Sequence, residues 1–367
     1  MDYSGIYKEK YIEFDTFIND EYEVKEIKPK IQITNNIGKD KYKKSFDNVL
    51  HILEEEKKIY VEDDDHIFDY TLRKQELMLA SEIVSLLKGT RNTEKNMESF
   101  SPELIEKYYK QIEDESKFSF NDEQKVAIKS AFTEPLVIVT GGPGTGKTTI
   151  VNAIVKMYLK LHNDSSALID HIAIIAPTGR ASKRLKETTG MESSTIHKFL
   201  GYLGADNFEH NRHNRTSARL IIVDESSMMD LPLAYRLVTS MHEDARLIIV
   251  GDVNQLPAVG PGQILKDLID TKEIKTIVLN KIHRQAENSS IIKLAHSINE
   301  GHLPENFIEK FNDRVFIPTD NEHLGNMVVD LVDKSVKKGK NIHKDLQVLI
   351  PMYKGEAGIN EINNRIQ

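Results

Sequence analysis

A chain of 367 residues with no cysteine has no disulfides and no thiolate metal site, and its length exceeds that of one typical domain. Its apolar runs span only a few residues, too short for a membrane-crossing helix, and its first residues carry acids and tyrosines where a secretory signal is basic and then apolar; a cytoplasmic protein is expected. The net charge of −8 excludes a uniformly basic surface, yet it is unevenly spread, because residues 1–120 hold 19 basic and 27 acidic side chains and the remaining 30 and 30 cancel.

Residues 1–40 alternate enough to form strands but identify no fold, and no internal repeat is present. From Ser45 to Lys58 the apolar positions Phe46, Val49, Leu50 and Leu53 recur at helical spacing. Lys58–Glu62 and His66–Phe68 then read as a short hairpin around Asp63, Asp64 and Asp65, and Tyr70–Leu87 as a longer helix. Helix, hairpin and helix suggest a winged-helix-like accessory module over residues 41–117. Its acidity suits a spacer or a surface for protein partners better than an independent grip on DNA. The acidic turn lacks the glycine and distal glutamate of a calcium loop, and Gly89–Asn96 reads as a polar linker.

The chemistry begins further on. Leu136–Thr140 is an apolar run with strand character, Thr149–Leu159 has helical spacing, and between them stands Gly141-Gly-Pro-Gly-Thr-Gly-Lys-Thr148, a complete G-x-x-x-x-G-K-[ST] loop. Such a strand–loop–helix junction presents backbone N–H groups and a helix dipole to a polyphosphate. Residues Gly142, Pro143, Gly144, Thr145, Gly146, Lys147, Thr148 and Thr149 are therefore the expected nucleotide cradle. Lys147 would reach the β- and γ-phosphates, and the Thr148 hydroxyl would ligate Mg²⁺.

Past the basic cluster Arg180, Lys183, Arg184 and Lys186, a second apolar strand, Leu220–Val223, ends in Asp224 and Glu225. Asp224 is the expected Mg²⁺ partner and Glu225 the base that orients and deprotonates the attacking water. A third strand at Leu247–Val250 runs into the glycine-punctuated loop Gly251–Gly262, where Gln255 could hydrogen-bond the γ-phosphate. In Val278–Gln285, Arg284 is the candidate arginine finger, supplied from a second domain.

In this order the segments resemble superfamily 1 helicases. Gln124, within Phe120–Ile128, matches the adenine-recognising glutamine of that superfamily. Ala176–Leu185 looks like motif Ia, Asp224–Met228 like motif II, Gly251–Gly262 like motif III and Arg284-Gln285 like motif IV. Thr178-Gly-Arg-Ala181, Thr195-Ile-His197 and the Gly-Asp-x-x-Gln-Leu-Pro-x-Val-Gly wording are similar to the RecD-like branch, from about Phe118 to Gln367. The resemblance implies an α/β fold, a RecA-like P-loop core with a parallel sheet and flanking helices. It implies an ATP- and Mg²⁺-dependent DNA helicase, a monomer moving 5′→3′ on single-stranded DNA and duplex junctions in repair or recombination. It places Thr178 and His197 on the DNA track beside Arg180 and Lys183. It also implies a duplex-splitting pin between Gly201 and Ala218, with Phe208 as the aromatic expected to stack on a base. The implied domains are 118–264 for the first motor domain and 265–367 for an incomplete second one, since no segment resembles motifs V and VI. Two other functions fit the same residues: a P-loop ATPase subunit of a nuclease complex, and a shortened, nucleotide-gated DNA-binding or assembly module with little hydrolysis.

Overall fold

The computed structural model describes residues 49–62, 66–91, 98–116, 119–163, 165–280 and 289–367. Residues 1–40, the acidic turn 63–65, most of the 89–96 linker and Arg284 lie outside them. The chain divides into two compact units, one reaching His283 and the other starting at Arg284.

The first unit is built on a six-stranded sheet. Its strands are β3 (Leu136–Gly141), β4 (Ile172–Ala176), β5 (Ser194–Thr195), β8 (Leu220–Val223), β9 (Arg246–Gly251) and β10 (Lys275–Leu279). They lie in the order β10-β3-β9-β8-β4-β5, and every pairing is parallel. Parallel strands need crossover helices on both faces, so the sheet is buried on both sides and its strands read as near-continuous apolar runs. Accordingly, β3, β8 and β9 are buried along their whole length.

The period of two along each strand sorts these side chains into two cores. Val137, Val139, Leu220, Ile222, Ile248 and Val250 face helices α3 (Pro102–Ser116), α4 (Asp122–Thr133), α5 (Lys147–Leu161) and α6 (Gly179–Thr189). Leu136, Ile138, Ile221, Val223, Leu247 and Ile249 face the other way. There they meet α2 (Tyr70–Leu87), the short α7 (Ile196–Phe199), α8 (Leu231–Ser240) and α9 (Ile264–Asp270).

The expected helix 45–58 is described from residue 49 and is helical over 49–55 (α1). The hairpin follows as β1 (Ile59–Glu62) and β2 (His66–Asp69), paired antiparallel. Arg73 fastens it to α2 with ion pairs to Glu62 at 2.6 Å and Glu76 at 2.8 Å, and its guanidinium lies 4.9 Å from the Phe68 ring centroid. Both α2 and α3, read in the sequence as part of an accessory module, contribute to the two cores of the sheet. Leu79, Ile83 and Leu86 enter one, and Ile105, Tyr109 and Ile112 the other. At the far end, residues 275–279, read as the start of a second motor domain, close the edge of the first sheet as β10 beside β3.

The second unit contains α10 (Ser290–Asn299), α11 (Asn321–Lys337) and α12 (Ile359–Ile366). Asp313 accepts hydrogen bonds from the backbone and hydroxyl of Ser290 and from the Ser289 hydroxyl, which lower its carboxyl pKa to about 2. Arg365 ties α12 to α11 by donating to Asn326 Oδ1 at 2.6 Å.

Candidate nucleotide and nucleic-acid site

Because the sheet is parallel, the C-terminal ends of β3, β8, β9 and β4 open on one edge, where ligands of such sheets bind. The loop after β3 turns through Gly144 at φ +76° and Gly146 at φ +90°, conformations that disfavour any residue with a Cβ. Gly146 is also the N-cap of α5, so the loop delivers the first N–H groups of that helix to the edge. Thr145 Oγ1 donates to the Gly142 carbonyl at 2.9 Å, and Lys147 Nζ donates to Gly141 O and Gly142 O at 2.6 and 2.9 Å. The lysine ammonium thus sits over its own loop, Thr148 and Thr149 begin α5, and Pro143 is exposed at the turn.

Gln124 is buried and spans two elements. Its Oε1 accepts from Asn121 N in a capping box that starts α4, and its Nε2 donates to the Thr145 carbonyl at 3.1 Å. It therefore fastens α4 to the phosphate loop.

Two strands away, Asp224 N donates to Ile175 O of β4, and Glu225 N donates to Asp224 Oδ1 at 2.9 Å. Burial pushes the Asp224 carboxyl up from its ordinary value, and the neighbouring Glu225 carboxylate adds to the rise. Its hydrogen bond from Glu225 N and the positive charges of Lys147 and Arg184 oppose it. Glu225 has φ +52°, a left-handed backbone rarely adopted by a residue with a side chain. At the end of β9, Asp252 is buried. Its backbone carbonyl accepts from Gln255 N at 3.1 Å, its Oδ1 accepts from Asn254 N at 3.0 Å, and Gln255 is exposed on the loop it shapes.

The expected DNA residues lie along the same edge. Thr178 caps α6, accepting from Ala181 N at 3.2 Å, while Arg180 and Lys183 are exposed on that helix. His197 is exposed on α7. The expected pin is a hairpin of β6 (Tyr202–Gly204) and β7 (Asn207–Phe208), turned by Ala205 and Asp206, both at positive φ. Phe208 is not at its tip. It sits at the base, opposite Tyr202, with ring centroids at 5.1 Å from Tyr202 and 5.9 Å from His197, and Arg236 of α8 lies over its face at 4.8 Å. With a guanidinium on its face and core residues beneath, Phe208 braces the hairpin. The hairpin's exposed large apolar side chains are Tyr202 and Leu203, 50% and 72% exposed. Neither the pairing of Tyr202 with Phe208 nor the approach of Arg236 from a distant helix leaves a signal in the sequence.

Residues 124–261 match the family model of the AAA domain. The chain is 34% identical over 248 residues to the ATP-dependent RecD2 DNA helicase of Deinococcus radiodurans, covering 67% of this chain and 32% of that protein. It is 35% identical over 199 residues to the RecD subunit of the RecBCD enzyme of Mycolicibacterium smegmatis, covering 49% of this chain and 36% of the relative. Over these stretches the chain is similar to RecD-type helicases. It spans about a third of the length of these relatives. Among solved structures, the Pif1 helicase of Candida albicans aligns with a TM-score of 0.42 at 21% identity, covering 60% of this chain and 55% of that one. The stretch matched by the family model contains the phosphate loop, Asp224, Glu225 and residues 251–261 of the loop after β9, in the RecA-like arrangement of a parallel sheet between helices. No helix among the described residues is long and apolar enough to cross a membrane.

Proposed function

We propose that this chain carries the ATP-hydrolysing part of a DNA helicase motor that moves 5′→3′ along single-stranded DNA toward duplex junctions. The observation that carries this reading is the arrangement of one parallel sheet whose neighbouring strand ends present a glycine-rich phosphate loop, an Asp-Glu pair and a polar sensor loop.

The cradle suits a polyphosphate. A Cβ at Gly142 or Gly144 would meet only open space, so the room beside the loop is free, and the start of α5 lies at its base. In this reading Gly142 to Thr149 hold the phosphates through backbone N–H groups. Lys147 exchanges its loop carbonyls for the β- and γ-oxygens. Thr148 and Asp224 hold Mg²⁺, which when bound neutralises the charge building between those oxygens. Glu225 takes a proton from the attacking water, Gln255 reads the γ-phosphate, Arg284 is the finger, and Gln124 offers its remaining N–H to adenine. Thr178, Arg180, Lys183 and His197 grip the strand along the same edge. A motor needs weak, salt-sensitive phosphate contacts that release, which a locally basic helix on a neutral body supplies.

The test is binding. Mg-ATP should raise thermal stability by about 2.7 kcal/mol at a hundredfold excess over Kd, and Lys147→Ala should remove that gain. Single-stranded DNA should bind at low salt and dissociate as salt rises. A chain that binds Mg-ATP but no single strand at low salt would remove the DNA half of the proposal.

A further inference from the structure

Ser226 follows the Asp-Glu pair, is wholly buried, and opens a single 3₁₀ turn. The β8–β9 backbone ladder ends at Val223 and Ile249, after which the two chains part. Beyond that point the Ser226 hydroxyl donates to the Val250 carbonyl at 2.8 Å, continuing the attachment through a side chain. The fit there is tight: a Cβ on Gly251 would lie 2.4 Å from Ser226 Oγ and 2.8 Å from Leu265. Only glycine at 251 leaves room for the hydroxyl. Glu225 is thereby held from both sides. The residue before it bonds to β4 through Asp224 N and Ile175 O, and the residue after it bonds to β9. Between these two attachments Glu225 keeps its left-handed backbone, an arrangement that persists where surrounding structure over-determines it. The strand end that Ser226 grips continues into Asp252 and the loop bearing Gln255, and Val253 N reaches Thr140 Oγ1 of the P-loop strand at 3.4 Å.

We propose that Ser226 is a positioning residue. Its hydroxyl clasps the Glu225 turn to the end of β9, so that the water-activating carboxylate and the γ-phosphate-sensing loop keep one geometry and move together. This rests on the role given above to Glu225. A buried hydroxyl whose loss leaves the Val250 carbonyl without its donor is a costly place for change, yet its hydrogen bond goes to β9 and not to the phosphate loop. Hydrolysis should therefore depend on it and nucleotide binding should not.

The experiment compares Ser226→Ala, Gly251→Ala and the double variant in the 367-residue chain. Backbone hydrogen exchange is followed over residues 224–230, 249–256 and 141–150, with affinity for a non-hydrolysable ATP analogue and kcat and KM for ATP measured in parallel. Ser226→Ala removes the clasp and Gly251→Ala displaces it. Each should speed exchange in the first two segments together and leave 141–150 unchanged. Each should keep analogue affinity within about twofold while lowering kcat about tenfold or more, as small misplacements of catalytic groups do. The double variant should be no worse than the poorer single one, because both break the same contact. Exchange rising in only one segment, an unchanged kcat, or losses that multiply would overturn the proposal. If Ser226→Ala does not melt cooperatively, Ser226→Cys, which keeps a weak donor, carries the same comparison. Glu225→Gln separates the two ideas: turnover retained there removes the role of Glu225. Absence of turnover in the parent chain removes its hydrolysis, and in either case the paired exchange change still decides the clasp.

Discussion

Asp267, on α9 just past the Gly251–Gly262 loop, has its carboxyl pushed up to about 6. Burial is the main cause, with Asp270 and Glu76 adding repulsion and the Gln263 N–H and Lys266 opposing it. A carboxyl raised in the folded state stabilises the fold while protonated. That contribution is complete below its ordinary value of 3.8 and is lost as pH rises through about 6. Asp267→Asn removes the penalty and keeps an acceptor for Gln263 N. It should stabilise the chain by about 1 kcal/mol at pH 8, allowing for partial exposure, and leave it unchanged near pH 4. Thermal melts at the two pH values check this, and an equal shift at both would contradict it. At this scale the parts of the candidate site were legible: Gly-rich loop, lysine and paired carboxylates have a spacing that chemistry dictates, and they meet at one sheet edge. Ser226 was not, since a serine after Asp-Glu reads as an ordinary polar turn until the Val250 carbonyl is brought beside it. Nor was the double attachment of Gln124, because neither Thr145 nor Asn121 announces a shared partner.

Among the elements, the strands and the hairpin followed their patterns closely, and Tyr70–Leu87 is a helix over its expected length. What the patterns did not convey was ownership. The apolar face of α2 is equally compatible with a small accessory core or with the motor sheet, since a stripe at helical spacing says only that something covers it. The structure gives it to the sheet, packed against α8 and the strands. Leu86→Ala, at a position 1% exposed, should therefore cost about 3 kcal/mol of motor stability. Urea unfolding followed by a probe within the sheet measures it. A loss confined to the hairpin, with the sheet unaffected, would show that α2 belongs elsewhere. Helix α3 went unread because it has only three buried positions amid charged residues, and β10 because its edge position exposes alternate side chains. The hairpin 202–208 illustrates a further limit. Its existence was implied by the family resemblance, but the choice between Phe208 and Tyr202 as its outward aromatic depended on which face Arg236 and the core would cover.

For the whole molecule, the described residues form a six-stranded parallel sheet flanked by helices in one unit and a smaller helical unit from residue 289 on. Residues 121–367 are electrically balanced while the first 120 carry the surplus acid. That balance suits a body that holds phosphates locally and lets go of them. In the proposed function, nucleotide turnover at this sheet edge is tied to single-stranded DNA. Steady-state ATP hydrolysis by the 367-residue chain, with and without single-stranded DNA and with Lys147→Ala as control, tests it most directly. Turnover should rise on adding the strand and disappear in Lys147→Ala; turnover indifferent to DNA, or surviving that substitution, would rule out a DNA-coupled ATPase at this edge.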